Sequence, residues 1–342
     1  VSYFIPKQKK IVIISNTFSH GNSKIFYDYL LKKNINFKVF CLSDSIENNT
    51  IKFRSFYGLY HFFTSKIILS SHGIPKIKSK NQVSISFWHG FTIKSFGNLT
   101  FDKFTDYSKF VDYEITQSKF FNFVYSYCWN LKPNQFLEFG EPVYDFYNSP
   151  LNYLTESEEN YVNSFNNDTV LYAPTYRDSK YSSDGGSIDD ILIEFLKLVE
   201  KNKSLDFILS LHPYEKISNK LTNLIKSYKN ISFSKIHTEK IMPFVNTVIL
   251  DSSSLYFHSI YLKKNTIIFF PDIESYKKTR GLVYDNFEII PKNLIFKNSL
   301  EFDNLLTSSF PNELETLRNL FFPNELINPN EKLLNFILKK LK

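Results

Sequence analysis

A repeating rhythm constrains this chain more than any other feature: short apolar runs recur, each followed by a polar loop and a helix-like segment. Lys10-Ile11-Val12-Ile13-Ile14-Ser15 is the first such run, and Phe37–Phe40, Lys66–Ser70, Val83–Phe87, Tyr113–Thr116 and Phe136–Phe139 continue the series. Runs this short and this apolar read as strands buried on both faces of a parallel sheet. Residues 149–167 interrupt the rhythm with a polar, acidic, partly helical stretch. A second series then begins, with strands expected at Thr169–Ala173, Phe207–Leu211, Ile231–Phe233, Thr247–Leu250 and Thr266–Phe270. Ser23 is expected to cap the first helix, and Asp184 or Ser187 the helix over 188–200. The fold class that follows is α/β, with two doubly wound parallel-sheet domains. They are expected at 1–148 and 168–342, joined by the linker 149–167, the second ending in an amphipathic helix.

Composition narrows the partners. The net charge of +7 permits attraction to phosphorylated polymers or an anionic membrane surface. Nucleic acid is the weakest of these partners, because no zinc pattern, arginine-rich arm or RNA-recognition signature is present. The 36 Phe and 22 Tyr read as codon bias accompanying abundant Asn, Lys and Ile. Cys41 and Cys128 lie far apart without metal spacing, and a reducing, cytoplasmic setting is the default. The chain begins at Val1 and its one methionine is Met242, which reads as a piece of a longer protein. No apolar run approaches the ~20 residues needed to span a bilayer. Two stretches suit an interfacial position, Phe53–Phe63 and Glu331–Lys342, although packing on a domain is the favoured reading of the second.

Four clusters carry chemistry, each at the end of an expected strand. Trp88-His89-Gly90, followed by Lys94 and Gly97, places a histidine of ordinary pKa near 6.5 beside a backbone-freeing glycine. His89 reads as a general base or as a strand-end cap, and Gly90 and Lys94 favour the first, on an acceptor or phosphate side. Pro174-Thr175-Tyr176-Arg177-Asp178 offers Arg177 as a phosphate clamp or as a local pair with Asp178. His212 in Leu211-His212-Pro213 mirrors His89 in the second domain. Asp251-Ser252-Ser253-Ser254 precedes a helix, as an anion site or an ordinary cap. Arg280 and Gly281 complete the set, with a tight turn expected at the glycine. His20, His61, His72, His237 and His258 have no comparable setting. No Walker loop, HExxH, nucleophile elbow or GxGxxG occurs, and a metal-free, cofactor-free mechanism is the simpler expectation.

Together these pieces resemble the CDP-glycerol glycerophosphotransferases that build teichoic acids and capsule polymers. The resemblance runs from about Lys10 to Pro291, through Phe87-Trp88-His89-Gly90-Phe91-Thr92-Ile93-Lys94-Ser95-Phe96-Gly97, Gly140-Glu141-Pro142-Val143-Tyr144-Asp145, Tyr172–Asp178, His212-Pro213, Asp251–Ser254 and Arg280-Gly281. It implies a GT-B architecture, a CDP-glycerol or other CDP-polyol donor, a polyol-phosphate or glycan acceptor that is lipid-linked in some settings, and release of CMP. It further implies catalytic roles for His89 and His212, and donor-phosphate roles for Thr175, Arg177, Ser252, Ser253, Ser254, Arg280 and Gly281. A peripheral place on the inner face of a bacterial membrane goes with it. Val143 stands where the family usually carries arginine, and Ser252 where it usually carries tyrosine. Two other readings stay open: a GT-B glycosyltransferase or epimerase acting on a nucleotide sugar, and a catalytically silent docking domain of an assembly complex.

Overall fold

The computed structural model describes residues 5–16, 18–33, 35–44, 50–88, 90–100, 106–166, 168–177, 187–283, 285 and 289–342. They form two compact units, each built on its own parallel sheet. The first unit comprises residues 1–91, 105–153 and 321–342, and the second comprises 92–104 and 154–320.

In the first unit the strands are β1 (Gln8–Ile14), β2 (Lys38–Ser43), β3 (Ile51–Lys52), β4 (Ser65–Ser70), β5 (Val83–Ser86), β6 (Tyr113–Ile115) and β7 (Phe136–Leu137). They lie in the order β3-β2-β1-β4-β5-β6-β7, all parallel. The chain leaves β1 for β2 on one side, then returns to lay β4 on the other. That reversal creates a crevice at the strands' carboxyl ends, where doubly wound sheets bind ligands. Ile11, Ile13, Ile67, Leu69 and Ile85 supply the core on one face, with Phe26 and Leu30 of the helix Gly21–Lys32.

The second unit repeats the plan with β8 (Thr169–Ala173), β9 (Asp206–Leu209), β10 (Ile231–Phe233), β11 (Thr247–Leu250), β12 (Asn265–Phe269) and β13 (Ile295–Phe296). Their order is β10-β9-β8-β11-β12-β13, again all parallel. This is the strand order of a Rossmann sheet, with the reversal between β8 and β11. The helix Ile188–Lys201 covers one face with Ile191, Phe195 and Leu198, packed on Tyr172, Phe207 and Phe269. Ser187 caps it, its hydroxyl accepting from the Asp190 amide, while Asp190 reaches back to the Ser187 amide. Asp184, the other cap considered, lies outside the described residues.

Three expectations change. The helix Gly21–Lys32 begins before Ser23, whose hydroxyl instead donates to that of Ser71. The expected linker is divided: Pro150–Tyr153 is a short 3-10 turn of the first unit, and Glu156–Asn163 is a helix of the second, capped by Thr155. The amphipathic helix Pro329–Leu341 belongs to the first unit, not to the second, where 168–342 would place it. Its Leu333, Leu334, Ile337 and Leu341 enter the same core as Ile11 and Ile67. Asp145 fixes its start by accepting from the Asn330 amide at 2.9 Å, and Lys340 donates to the Tyr113 hydroxyl at 2.8 Å. Its apolar stripe is thus covered by the sheet. Among the described residues no helix is long and apolar enough to cross a membrane.

Candidate functional site

The register of β8 and β11 builds the site. Ala173 sits beside Leu250 as the last pair of the ladder, so Pro174-Thr175 and Asp251-Ser252 leave the sheet side by side at the reversal point. Asp251 is 1% exposed, and its carboxylate accepts from the Thr175 amide at 2.9 and 3.0 Å and from the Thr175 hydroxyl. The same carboxylate receives Arg177 Nη1 at 2.8 Å. Arg177 then turns to Asp272, at the end of β12, with Nε and Nη2 on its two oxygens at 2.8 and 2.9 Å. Nη1 also donates to the Thr175 carbonyl at 2.8 Å. Tyr276 and Phe270 lie over the guanidinium, at 5.2 and 5.5 Å.

This geometry revises the expected role of Arg177. Four of its five N–H groups (Nε, one on Nη2 and both on Nη1) are consumed by protein acceptors, and its side chain is 6% exposed. Burial alone would lower its pKa, but Asp251 and Asp272 outweigh burial and hold the guanidinium charged. Arg177 is an internal clamp joining the loops after three strands rather than an open phosphate clamp. Its alternative partner Asp178 lies outside the described residues. Thr175 is equally committed, since its hydroxyl hydrogen goes to Asp251. Ser252 is fully buried and its hydroxyl donates to Thr175 Oγ1 at 3.4 Å.

Lys94, Arg280, His212, Ser253 and Ser254 lie in the segments around this clamp. Lys94 reaches it on a segment that pairs antiparallel with Leu282: Ser95 N–H donates to the Gly281 carbonyl at 3.1 Å, and Val283 N–H to that of Ile93 at 2.8 Å. Gly281 makes this approach possible. Its φ is +69°, and a Cβ there would stand 2.7 Å from Ser95 Oγ. Lys94 therefore belongs to the second unit, apart from Gly90, which stays in the first. Burial, and then the neighbouring Arg280, push its ammonium down to about 8. Among the described residues no carboxylate forms an ion pair with it, although the nearby Asp251 charge works in the opposite direction, favouring the ammonium.

His212 follows β9, its ring tilted between Tyr176 at 5.5 Å and Tyr214 at 5.3 Å. Its Nδ1 accepts the Tyr214 amide at 3.2 Å, which fixes the neutral tautomer with the hydrogen on Nε2. Burial and the charge of Lys94 lower its pKa. His212 is thus a hydrogen-bond donor at neutral pH. Ser253 accepts the Leu255 amide at 3.3 Å, whereas Ser254 makes no side-chain cap at the start of Leu255–Tyr261. Lys94, Arg280, His212, Ser253 and Ser254 together suit an anion with several oxygens.

His89 lies outside the described residues, as do Asp178 and the loop 178–186. Its neighbour Gly90 has φ +98°, and Trp88 is itself left-handed at +38°. Three residues take a place that their sequence setting does not assign them. Asp272 and Tyr276 complete the Arg177 clamp, where the sequence offers only a Pro271-Asp272 pair after an apolar run. His72 follows β4 beside the first sheet's reversal point, its Nδ1 2.9 Å from the Ser71 hydroxyl. Its signal was a strand-end His-Gly pair, His72-Gly73, like His89-Gly90. His61 and His258 are buried, and burial pushes His258 down to about 4.

Two outcomes follow from this geometry. Arg177→Ala leaves two buried carboxylates unpaired and should destabilise the chain by about 3–5 kcal/mol, read as a lowered denaturant midpoint; an unchanged midpoint would contradict the clamp. Because the folded pKa of Lys94 lies below its ordinary 10.5, an anion seated on it restores the charged form. Binding of CDP should therefore draw a proton onto Lys94 above pH 8, and affinity should fall as the pH rises through that value. Calorimetry in two buffers of different ionisation enthalpy reads the uptake, which Lys94→Met should remove.

Comparison with known proteins places this arrangement. The family model described as CDP-Glycerol:Poly(glycerophosphate) glycerophosphotransferase matches residues 1–338. A teichoic acid ribitol-phosphate primase of Bacillus spizizenii is 26% identical over 262 residues, 69% of this chain and 64% of its own length. A teichoic acid poly(glycerol phosphate) polymerase of the same organism is 24% identical over 327 residues, 85% of this chain and 82% of its own. Among solved structures, the wall teichoic acid polymerase TagF superposes with a TM-score of 0.78 at 19% identity, covering 98% of this chain and 90% of that one. A form of TagF soaked with CDPG matches equally well, at 0.78 and 18% identity with the same coverage. The UDP-GlcNAc 2-epimerase of Methanocaldococcus jannaschii reaches 0.58 at 13% identity, over 96% of this chain and 99% of that one. The fold is of the GT-B type, and the chain belongs to the CDP-glycerol:poly(glycerophosphate) glycerophosphotransferase family.

Proposed function

We propose that this chain transfers glycerol phosphate, or a related polyol phosphate, from a CDP-activated donor to a hydroxyl of a teichoic-acid-like or capsule polymer, releasing CMP. The observation that carries the reading is the rim of Lys94, Arg280, His212, Ser253 and Ser254 at the reversal point of the second sheet. Its cations and its hydroxyl and imidazole donors are of the kinds that bind a diphosphate, and the family points to a CDP-polyol.

In this reading His89 takes the proton of the acceptor hydroxyl. The acceptor oxygen attacks the β-phosphorus, the anhydride bond to the α-phosphate breaks, and CMP leaves with that electron pair. His212 Nε2–H donates to a phosphate oxygen, and Lys94 and Arg280 offset the charge on the departing CMP. Arg177 and Asp251 act one step back, by holding Thr175 and the serine run in place. Catalysis is then positioning and charge stabilisation.

The test is a donor panel of CDP-glycerol, CDP-ribitol and UDP-sugars with a short polyol-phosphate acceptor, read by nucleotide release. CMP release is expected, and His89→Ala should slow it by about 10²–10⁴-fold, the usual worth of a general base. Full turnover in that variant removes His89 from the chemistry. Release of UDP instead would favour the nucleotide-sugar reading, whose enzymes share this fold.

A cytoplasmic place against an anionic membrane completes the proposal. The support is the helix Phe56–Thr64, which leaves Phe56, Tyr57 and Tyr60 at 90%, 56% and 46% exposure, next to Lys52 and Arg54. Aromatic rings flanked by cations suit the headgroup region of a bilayer. Such a surface would bring the chain to a lipid-linked acceptor. Phe56→Glu should reduce co-sedimentation with phosphatidylglycerol vesicles; undiminished co-sedimentation would rule this helix out.

A further inference from the structure

The first unit holds a buried polar device that none of the foregoing roles uses. Asn22 is 6% exposed, in the first turn of the helix Gly21–Lys32. Its Nδ2 donates to the carbonyls of Phe87 at 3.2 Å and Trp88 at 3.4 Å, the two residues that precede His89 in the chain. The same amide nitrogen donates to Glu141 Oε2 at 2.8 Å, and Asn22 Oδ1 accepts the Val143 amide at 3.0 Å. Glu141 is 1% exposed and takes a second hydrogen bond, from Gln117 Nε2 at 2.6 Å.

The chemistry of these partners fixes one orientation. Carbonyl oxygens only accept and a backbone N–H only donates, so the Asn22 NH2 faces the 87–88 carbonyls and its oxygen faces Val143. Glu141 lies on the NH2 side, where its Oε2 accepts. The grip falls on a strained stretch. Trp88 has φ +38°, a region that non-glycine residues occupy only when their surroundings hold them there. Packing supplies the remaining hold: the Trp88 indole meets Trp129 edge-on at 4.6 Å, and Trp129 stacks on Tyr125 at 4.8 Å. Beside this, Glu114 is fully buried next to Ser86, and burial raises its carboxyl well above the usual carboxylate range.

We infer that Asn22 and Glu141 are positioning residues for the His89 base, holding the backbone at Phe87 and Trp88, the two residues that precede it in the chain. The inference rests on the transferase reading above. Each acts through the backbone at Phe87 and Trp88 rather than on substrate.

The test compares wild type, His89→Ala, Glu141→Gln, Asn22→Ala and the double variant Glu141→Gln/His89→Ala in the CMP-release assay. Each is first shown by thermal melting to be folded at the assay temperature. Glu141→Gln keeps shape and volume, but one of its two acceptor oxygens becomes an NH2, so Asn22 Nδ2 and Gln117 Nε2 can no longer both keep their bonds to it. It should lower kcat by about 10–100-fold, the cost of a small misplacement of a reacting group, with KM for CDP-glycerol within threefold of wild type. The acid limb of the kcat–pH profile should shift, and the double variant should be no slower than His89→Ala alone. Should Asn22→Ala prove unfolded, Glu141→Gln carries the test. A Glu141→Gln enzyme with wild-type kcat, a loss confined to KM, or additive losses in the double variant would each overturn the inference. A wild type that releases no CMP from any CDP-polyol would instead fell the transferase reading, and this one with it.

Discussion

The second unit depends on one buried ion triad. Arg177 spans Asp251 and Asp272, so the ends of β8, β11 and β12 are tied at a point where none of them has a ladder partner left. Burying three charges is expensive, and replacing such a set with apolar side chains is often neutral or stabilising. An apolar trio, however, fixes no distances. The bidentate fork on Asp272 and the fourth bond to the Thr175 carbonyl set three loops to within hydrogen-bond tolerance. The triad sets two carboxylates against one guanidinium, and the Asp251 charge also acts on Lys94, against the burial and the Arg280 charge that push its ammonium down.

The first unit solves the same task with amides. Where Arg177 joins three loops by charge, Asn22 joins the turn after β5, the 141–143 loop and its own helix by hydrogen bonds alone. Both devices sit at the carboxyl ends of parallel strands, where backbone groups run out of sheet partners and side chains must supply them. The two sheets share a strand order, yet their strand ends are organised by different chemistry.

Much of this was legible in the sequence, and the failures share one cause. The strands of both sheets were visible because a buried parallel strand is apolar on both faces, as in Lys10–Ser15 or Thr247–Leu250. Thr175, Arg177, His212 and Asp251 were visible because each interrupts such a run at its end. What stayed hidden was partnership. Asp272 lies 95 residues from Arg177, and no local signal joins them, so a guanidinium engaged internally looked the same as one open to phosphate. Lys94 was grouped with its chain neighbour Gly90, although the chain passes to the other unit after Phe91. The C-terminal helix has the stripe that either a membrane or a protein core would select, and only the structure shows Leu333 and Ile337 against the first sheet. Two-residue strands such as β3 and β13 carry too little pattern to be seen.

That last helix bears on the order in which the molecule can be made. The core of the first unit begins with β1 and is completed by Leu333, Leu334, Ile337 and Leu341, more than 300 residues later in the chain. A ribosome delivers β1–β7 long before those side chains emerge. The nascent sheet must therefore wait with part of that apolar face uncovered while residues 154–320 of the second unit are synthesised. Domains of a multidomain chain usually fold in order of synthesis. Here the later unit has the earlier opportunity to finish, and the first to appear is the last to close.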